Sequence, residues 1–458
     1  MNEIIHLLVA ALGAERVLTQ PDALDLRSWD ALSLSRIHPA NPITHQKPVC
    51  VCLPSATNDV QTIVSLANQR RIPIVPYGGG SGLMGGAISL EPGIVVDLRG
   101  MDRILDIDIG SATARVQSGV VLATLEKALN DVGLMLGHDP WTLPVATVGG
   151  TVSTNSLGYR GGKYGSMGEQ VLGLEAVLPE GQVCRTRAVV KSSTGIDLSG
   201  LFIGGEGCFG IVTEATLKVF SNPEERSLLG FQFPSFASGF KSVQEVFGAG
   251  LAPMLMDFGD ATDDPMGPAV LYLGFEGRRA LVSVETEEAR GVCLRREGVE
   301  LPSARAETFW TERHAAALRF MTSRLQRRNS VIQGPHQDWI HVALPAAEVL
   351  PFRDHALAVI QQHEVEFKES GLWTRPELFS VRFAKTGGDE ARARVEDATF
   401  GLLKAVHRLG GSMEYCHGVG AKLAPLMRAE HGPNLDLMRS LKRWIDPNQI
   451  MNPGKLAL

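Results

Sequence analysis

Short apolar runs alternate with helical patterns in the first part of the chain, which predicts strands and helices in turn. A helix is predicted after the run at 49–53, because Ser55 or Thr57 can cap its N-terminus and the apolar residues that follow recur at helical spacing. The predicted strands are 49–53, 72–75, 93–98 and a hairpin of 103–108 with 113–117; the first helix buries Val60, Ile63, Val64 and Ala67, and a second carries Leu122, Leu125 and Leu129 and ends near Gly133. Residues 140–215 are predicted to be glycine loops between short strands.

After about residue 223 the pattern becomes more polar and more helical, which indicates a second, α+β domain. Its predicted helices are 236–247, 303–329, 345–363 and 389–409, with strands such as 269–273 and 340–344 between them. The tail from about 411 returns to a glycine loop. It then forms a helix with Leu437, Met438, Leu441, Trp444 and Ile445 on one face, which Asp446 and Pro447 end. We therefore divide the chain into 1–222, 223–410 and 411–458.

Residues 76–86 form a glycine-rich loop after a predicted strand, and Gly80, Gly82 and Gly85 match the G-x-G-x-x-G fingerprint of dinucleotide-binding folds. That fingerprint requires a helix directly after the last glycine, because the helix N-terminus holds the pyrophosphate. Here Pro92 and another strand follow too soon for a helix, which disfavours an NAD site. Successive glycines also let backbone N–H groups converge on an anion, so the loop can wrap a pyrophosphate without a helix. A flexible surface loop is the alternative.

Two further segments favour a cofactor site over a flexible loop. Residues 144–165 and 204–215 combine small residues, hydroxyls and glycines with apolar strand residues. Such a composition suits close approach to a large flat cofactor.

Composition narrows the class of protein. A length of 458 residues suggests two to three domains, and 44% hydrophobic with 21% charged residues is ordinary for a globular protein. A net charge of −6 argues against nucleic acid as a partner. Six scattered cysteines without a CxxC pair indicate buried apolar residues in a reducing compartment. No signal-peptide pattern or long apolar run occurs, so we expect a cytoplasmic protein without a transmembrane segment.

The three glycine segments, in this order, resemble the FAD-binding domain shared by vanillyl-alcohol oxidase and p-cresol methylhydroxylase (PCMH). Residues 416–420 and 446–456 look like the end of the glycolate-oxidase and D-lactate-dehydrogenase branch. The resemblance implies an α+β fold with a two-lobed PCMH-type FAD-binding domain at 1–222. It also implies an α+β cap at 223–410 that covers the flavin ring, and a C-terminal segment at 411–458 that returns to the FAD domain.

By position, the resemblance also assigns cofactor contacts. The pyrophosphate would meet Gly78, Gly79, Gly80, Ser81, Gly82 and Gly86 of the first loop, beside Pro76. The ribityl chain and ring would be lined by Pro144, Thr147, Gly149, Gly150, Ser153, Thr154 and Gly158; Glu206, Gly207, Gly210 and Ile211 would hold the adenosine side or the ring edge, and Asn452 is assigned to the cofactor as well. Some relatives attach FAD through a histidine near the first loop. No histidine occurs from 46 to 137, so we predict non-covalent FAD.

The resemblance places His417 against the flavin, where it is the candidate base or hydrogen-bonding partner for a substrate hydroxyl. Relatives that act on 2-hydroxy acids carry a glutamate just before this histidine, whereas this chain has Cys416. Tyr415 would share a face with His417 in an extended chain, and is either a second substrate contact or a packing residue. Arg313 and Arg382 are candidate partners for a substrate carboxylate. A solvated helix face is predicted for Arg319, Arg324, Arg327 and Arg328.

The relatives often carry a Gly-His-x-Gly-Asp-Gly-Asn-x-His segment whose histidines can bind a divalent metal. The corresponding region of this chain, 377–388, has no histidine. His336 and His341 are five residues apart on a predicted strand and would point to opposite faces. We therefore predict no metal site.

Together these features predict an FAD-dependent dehydrogenase of a small D-2-hydroxy acid, with hydride transfer to flavin N5. Electrons would pass on to oxygen, a quinone or an electron-transfer protein. The alternatives are an enzyme like alkyl-dihydroxyacetone-phosphate synthase, without net redox change, and a phenolic-alcohol oxidase in which Tyr415 binds a phenolate. A non-catalytic flavin-binding subunit is a further alternative, against which His417 and the full-length cap argue. A homodimer is left open as the assembly.

Overall fold

The computed structural model describes residues 2–38, 40–319 and 335–458. An N-terminal helix, Asn2–Leu12, packs against a second helix, Thr57–Arg70, and a short helix, Pro21–Arg27, follows the first strand. The predicted apolar face of Thr57–Arg70 is confirmed, because Val60, Ile63, Val64 and Ala67 are all buried.

The first sheet has four strands and carries the first glycine loop. Their order is Val17–Leu18, Cys50–Cys52, Ile94–Asp97 and Ile74–Tyr77. The last three run parallel to one another, so Thr57–Arg70 serves as the crossover between the second and third strands along the chain. The glycine loop leaves the carboxyl end of Ile74–Tyr77, the edge at which open parallel sheets bind ligands.

The second sheet has five antiparallel strands and includes the predicted hairpin, which is confirmed. Their order is Ile104–Asp108, Thr113–Gln117, Ile211–Lys218, Val171–Val177 and Val183–Arg185. The predicted helix is Leu122–Asn130, with its three leucines buried. Beside this sheet, Leu134–Met135 pairs with Phe220–Ser221.

Residues 140–170 differ from the prediction, because they form three short helices where loops were expected. These are Val148–Thr154, Gly161–Tyr164 and Met167–Gln170. The first of them contains Gly149 and Gly150, and because glycine has a low helix propensity, the sequence did not predict a helix there. The Thr147 side chain caps this helix by accepting a hydrogen bond from the Gly150 N–H.

The third sheet has seven antiparallel strands, and five helices pack with it in an α+β arrangement. Its order is Val299–Glu300, Glu225–Phe233, Ala269–Gly277, Leu255–Asp260, Glu366–Trp373, Leu378–Lys385 and His336–Ala343. The helices are Phe236–Gly248, Arg279–Arg295, Ser303–Glu312, Val349–Gln362 and Asp389–Arg408. The pairings of the first two sheets fall within 17–218 and those of this sheet within 225–385; the domain divisions at 222 and 410 stay predictions.

Two helices depart from the sequence prediction. Arg279–Arg295 was missed, because Leu281 and Val284 are exposed and its apolar residues therefore lie on both faces. The helix predicted at 303–329 is Ser303–Glu312. Its continuation beyond 319, with Arg324, Arg327 and Arg328, lies outside the described residues.

The C-terminal segment returns to the first sheet. The Ile74 N–H donates to the Ile450 carbonyl at 2.7 Å, and the Asn452 N–H donates to the Ile74 carbonyl at 2.8 Å. The short helix Met427–His431 and the last helix, Asn434–Ile445, precede this contact. The predicted apolar face of the last helix is confirmed only for Met438 and Ile445, which pack against the core. Leu437, Leu441 and Trp444 are exposed, and the helix instead buries Leu435 and Lys442. The Lys442 ammonium binds the Cys208 and Met451 carbonyls, which requires that face to point inward.

Among the described helices, none has both the length and the apolar character needed to cross a bilayer.

Candidate cofactor and active site

The three glycine segments and the tail meet around one cavity, called the cofactor cavity below. Its volume is about 1190 Å³, including the part that is open to solvent. The predicted residues that line it are Pro76, Gly78, Gly79, Gly80, Ser81, Gly82, Gly86, Thr147, Gly149, Gly150, Ser153, Thr154, Glu206, Gly207, Gly210, Ile211, Asn452 and His417. The cavity is therefore lined by predicted residues from four separate segments of the chain.

The first two glycine segments pack backbone to backbone at the cavity wall. A Cβ on Gly79 would fall well inside contact distance of the Val145 carbonyl oxygen, and one on Gly78 would collide with the Thr147 hydroxyl. Because side chains are absent there, the wall consists mainly of backbone groups and small hydroxyls. Such a wall fits the pyrophosphate and ribityl chain of FAD, which need close approach and many hydrogen-bonding groups.

Substituting Gly79 by alanine is expected to weaken FAD binding about 5- to 150-fold. The Cβ meets main chain, so the first loop must move away from 145–147, and overpacking of this kind costs about 1–3 kcal/mol. Titration of the flavin-free protein with FAD, followed by flavin fluorescence, measures the change. Gly248→Ala is the matched control, because a Cβ at Gly248 meets nothing within 4 Å. Equal FAD affinity in both variants would show that the close contact is dispensable.

Glu206 holds the tail against the cavity. Its carboxylate accepts hydrogen bonds from the N–H groups of Val419 at 2.6 Å and of Gly420 at 2.9 and 3.1 Å. Asn452 connects the same region by donating to the carbonyls of Gly86 at 3.0 Å and Glu206 at 2.6 Å. Burial raises the pKa of Glu206 to about 7, although these backbone donors act in the opposite direction.

This raised pKa predicts a pH-dependent stability of the flavin-free protein. The folded state binds the Glu206 proton more tightly than the unfolded state does. The resulting contribution to the free energy of unfolding is fully present below pH 4.5 and is lost as pH rises through about 7. The loss amounts to about 3 kcal/mol. Urea unfolding at pH 5 and pH 8 should show a larger fall in the wild type than in Glu206→Gln. Glu180→Gln, which changes an exposed carboxylate, should behave like the wild type; an identical pH response in all three would contradict the assignment.

Two of the predicted cofactor residues do not line the cavity. Gly158 packs against main chain, where a Cβ would lie 2.6 Å from the Asp139 carbonyl carbon. Pro144 belongs to the turn that leads to Val145.

Other lining residues were missed by sequence reasoning. They include Asp30, Ser118, Trp141, Thr142 and Cys416. Trp141 and Thr142 directly precede the second glycine segment, so their position was a usable signal. No sequence signal marked Asp30 and Ser118, because they are far from the glycine segments along the chain and come to the cavity only in the folded protein.

His417 lies at the cavity wall beside two other ionisable groups. Its Nδ1 atom is 3.3 Å from Oε1 of Glu414, and its ring centroid is 4.4 Å from that of His341. Glu414 Oε1 also accepts hydrogen bonds from the N–H groups of Cys416 at 2.8 Å and His417 at 3.0 Å. These two bonds bend the chain, so the extended conformation assumed for Tyr415 and His417 is wrong.

The charges of these groups are strongly coupled. Burial lowers the pKa of His417, but the neighbouring Cys416 and Glu414 outweigh it and raise that pKa to about 10. Burial and the charge of His417 both keep the pKa of His341 well below its ordinary value. The two adjacent imidazoles therefore differ in charge: at pH 7 His417 is protonated and His341 is neutral.

Comparison with known proteins establishes the family. Residues 222–456 match the model of the C-terminal domain of FAD-linked oxidases, and residues 48–187 match an FAD-binding domain. The chain belongs to the FAD-linked oxidases. It is an FAD-dependent oxidoreductase with the two-domain fold of the PCMH-type superfamily.

Relatives of this FAD-linked oxidase cover nearly its whole length. Glycolate oxidase subunit GlcD of Bacillus subtilis is 29% identical, over 91% of this chain and 90% of its own. A D-lactate dehydrogenase of Archaeoglobus fulgidus is 28% identical, over 89% and 91%. Among solved structures, an alkyldihydroxyacetonephosphate synthase superposes with a TM-score of 0.80 at 22% identity, covering 100% of this chain and 86% of its own. p-Cresol methylhydroxylase superposes with a TM-score of 0.79 at 18% identity, covering 100% and 96%.

The remaining predicted substrate contacts of this FAD-linked oxidase lie away from the cavity wall. The Tyr415 ring is 5.7 Å from the His341 ring, edge to face. Arg313 donates to Asp139 at 2.9 Å and stacks on Trp310, with its guanidinium carbon 3.6 Å from the ring centroid. The Nε atom of Arg382 lies 3.5 Å from Oε1 of Glu369. Both arginines are therefore paired with carboxylates of the protein itself.

Proposed function

We propose that this FAD-linked oxidase dehydrogenates a small D-2-hydroxy acid and passes the electrons to oxygen, a quinone or an electron-transfer protein. The observation that carries the proposal is His417, paired with Glu414 and lining the same cavity as the three glycine segments. The relatives named as glycolate oxidase and D-lactate dehydrogenase support this substrate class.

When bound, FAD would accept a hydride from the substrate carbon that carries the hydroxyl. The task of His417 is to hold the substrate oxygen. Because Cys416 and Glu414 favour its protonated form, the imidazole donates a hydrogen bond that stabilises the substrate in its alkoxide form, and the hydroxyl proton leaves to solvent through the open part of the cavity. The base role predicted from the sequence needs the neutral form, which Glu414 disfavours.

We propose that the lining residues hold FAD without a covalent bond. The first loop has no histidine, and its wall is built of glycine backbone. Acid precipitation of the purified protein should release all of its flavin into the supernatant. Flavin that stays with the precipitated chain would contradict this.

We also place the protein in the cytoplasm, because its six cysteines are all unpaired, which fits a reducing compartment.

The deciding experiment is anaerobic reduction of the bound flavin. The purified holoenzyme is mixed with D- and L-2-hydroxy acids and with phenolic alcohols, and loss of the oxidised flavin absorption is followed. We expect D-2-hydroxy acids to bleach the flavin and their L-enantiomers to react far more slowly. Bleaching by a phenolic alcohol alone would overturn the proposal, and a flavin that no compound reduces would favour a non-catalytic subunit.

A further inference from the structure

Three potential metal ligands converge beside the cofactor cavity: His341 from the strand His336–Ala343, and Glu414 and His417 from the C-terminal segment. One ligand atom of each lies within 4.8 Å of those of the other two. All three side chains are largely buried. The Nδ1 atom of His341 has no hydrogen-bond partner, and that of His417 has only the 3.3 Å contact with Glu414. An unsatisfied buried polar atom is destabilising, so the nitrogen of His341 requires an explanation.

We propose that His341, Glu414 and His417 bind one divalent transition-metal ion of the Zn²⁺ type. Ligands about 2.0–2.1 Å from a tetrahedral Zn²⁺ lie about 3.3–3.4 Å apart. The 3.3 Å between His417 Nδ1 and Glu414 Oε1 matches this spacing. The ligand atom of His341 lies within 4.8 Å of the other two. Two imidazoles and one carboxylate form the ligand set of several catalytic zinc sites.

A simple ion pair explains only part of the cluster. Glu414 and His417 can neutralise each other, but this leaves His341 as a second buried imidazole 4.4 Å away, with an unsatisfied nitrogen. A dication accepts a lone pair from each histidine, replaces the proton that His417 carries in the metal-free protein, and uses the carboxylate charge. Glu414 Oε1 is already fixed by the N–H groups of Cys416 and His417, so this ligand is held in place before an ion arrives.

One proposed ligand, His341, lies on a different strand from the region that corresponds to the histidine motif of the relatives. His341 lies directly opposite Ser380 in the antiparallel pairing, and Ser380 belongs to the region 377–388 where that motif is missing. The sequence predicted no metal site because the motif is missing from 377–388 and because His341 was compared only with His336 on the same strand. The adjacent C-terminal segment, which pairs with this strand at Ala343 and Ser412, supplies the other two groups.

An ion at this position would supply positive charge where the protein has little. Within the described ranges, no lysine or arginine lines the cofactor cavity, while Asp30 and Glu206 do. Three protein ligands would leave one position of a tetrahedral ion free, and of the three residues His417 lines the cavity. Recognition of a hydroxy-acid carboxylate by this ion rests on the proposed function, whereas occupation of the site does not.

The test measures metal binding to the holoenzyme without any substrate. The protein is stripped with a chelator and dialysed against Zn²⁺, bound zinc is determined by elemental analysis, and Co²⁺ is followed by difference spectra outside the flavin band. We expect one ion per chain in the wild type. His341→Gln and Glu414→Gln should each weaken binding by more than about 10-fold.

His336→Gln is the matched control, because His336 is a buried histidine of the same strand that is not part of the cluster. FAD content and circular dichroism confirm that each variant is folded. A wild type that binds no zinc would overturn the proposal, as would unchanged affinity in His341→Gln or equal loss in His336→Gln. Zinc binding together with a flavin that D-2-hydroxy acids do not reduce would support the ion site and contradict the proposed function.

Discussion

Replacing His417 by alanine is expected to slow reduction of the bound flavin by about 10²–10³-fold, while FAD remains bound. The imidazole lies at the wall of the cofactor cavity and is held by Glu414, and removal of one preorganised donor to a negatively charged substrate oxygen typically has an effect of this size. FAD binding should persist, because the glycine wall does not depend on this side chain. Anaerobic stopped-flow with the best hydroxy acid measures the rate.

His431→Ala is the control for this prediction, since His431 belongs to the same C-terminal segment but does not line the cavity. It should leave the rate of flavin reduction unchanged. A His417→Ala enzyme that reduces its flavin at the wild-type rate would show that the substrate oxygen is held by another group.

Replacing Asp338 by asparagine is expected to lower the free energy of unfolding by about 3–5 kcal/mol. Asp338 is fully buried and accepts hydrogen bonds from Lys422 at 2.6 and 2.7 Å and from Arg36 at 3.0 Å, with Nε2 of His38 at 2.9 Å. Burial raises the pKa of the carboxyl group, but Lys422 and Arg36 hold that pKa well below its usual value. Asparagine leaves two buried cations without a counter-charge, and breaking a buried pair costs this much.

The position of Asp338 explains why the whole fold should respond. It lies on the strand His336–Ala343 of the third sheet, whereas Arg36 and His38 belong to the N-terminal segment and Lys422 to the C-terminal segment. The Lys422 N–H also donates to the Met84 carbonyl of the first glycine loop at 3.0 Å. Loss of the charge therefore loosens three separate parts of the chain from one another.

Urea unfolding of the FAD-bound protein measures this change. Asp131→Asn is the matched control, because it breaks an exposed ion pair with Lys127 and should cost no more than about 0.5 kcal/mol. If Asp338→Asn were as stable as this control, the buried network would not connect the three segments in the way proposed.

Much of the N-terminal part could be predicted from the sequence. The helix Thr57–Arg70, the hairpin of Ile104–Asp108 with Thr113–Gln117 and the helix Leu122–Asn130 follow from apolar spacing, which is a local property. The sequence could not predict the helix Arg279–Arg295 or the exposed face of Asn434–Ile445, because apolar side chains there point to solvent. Periodicity identifies an amphipathic helix only when the helix buries its apolar residues.

The sequence by itself determined the glycine loops and singled out His417 as a candidate, because glycine content and motif order along the chain are visible without any contacts. Only the tertiary structure decided what surrounds His417. It brought His341 from a distant strand next to Glu414 and His417, and it paired Arg313 and Arg382 with Asp139 and Glu369. Such partners depend on strand order and on how the C-terminal segment meets the cap, and local patterns of side chains carry no information about either.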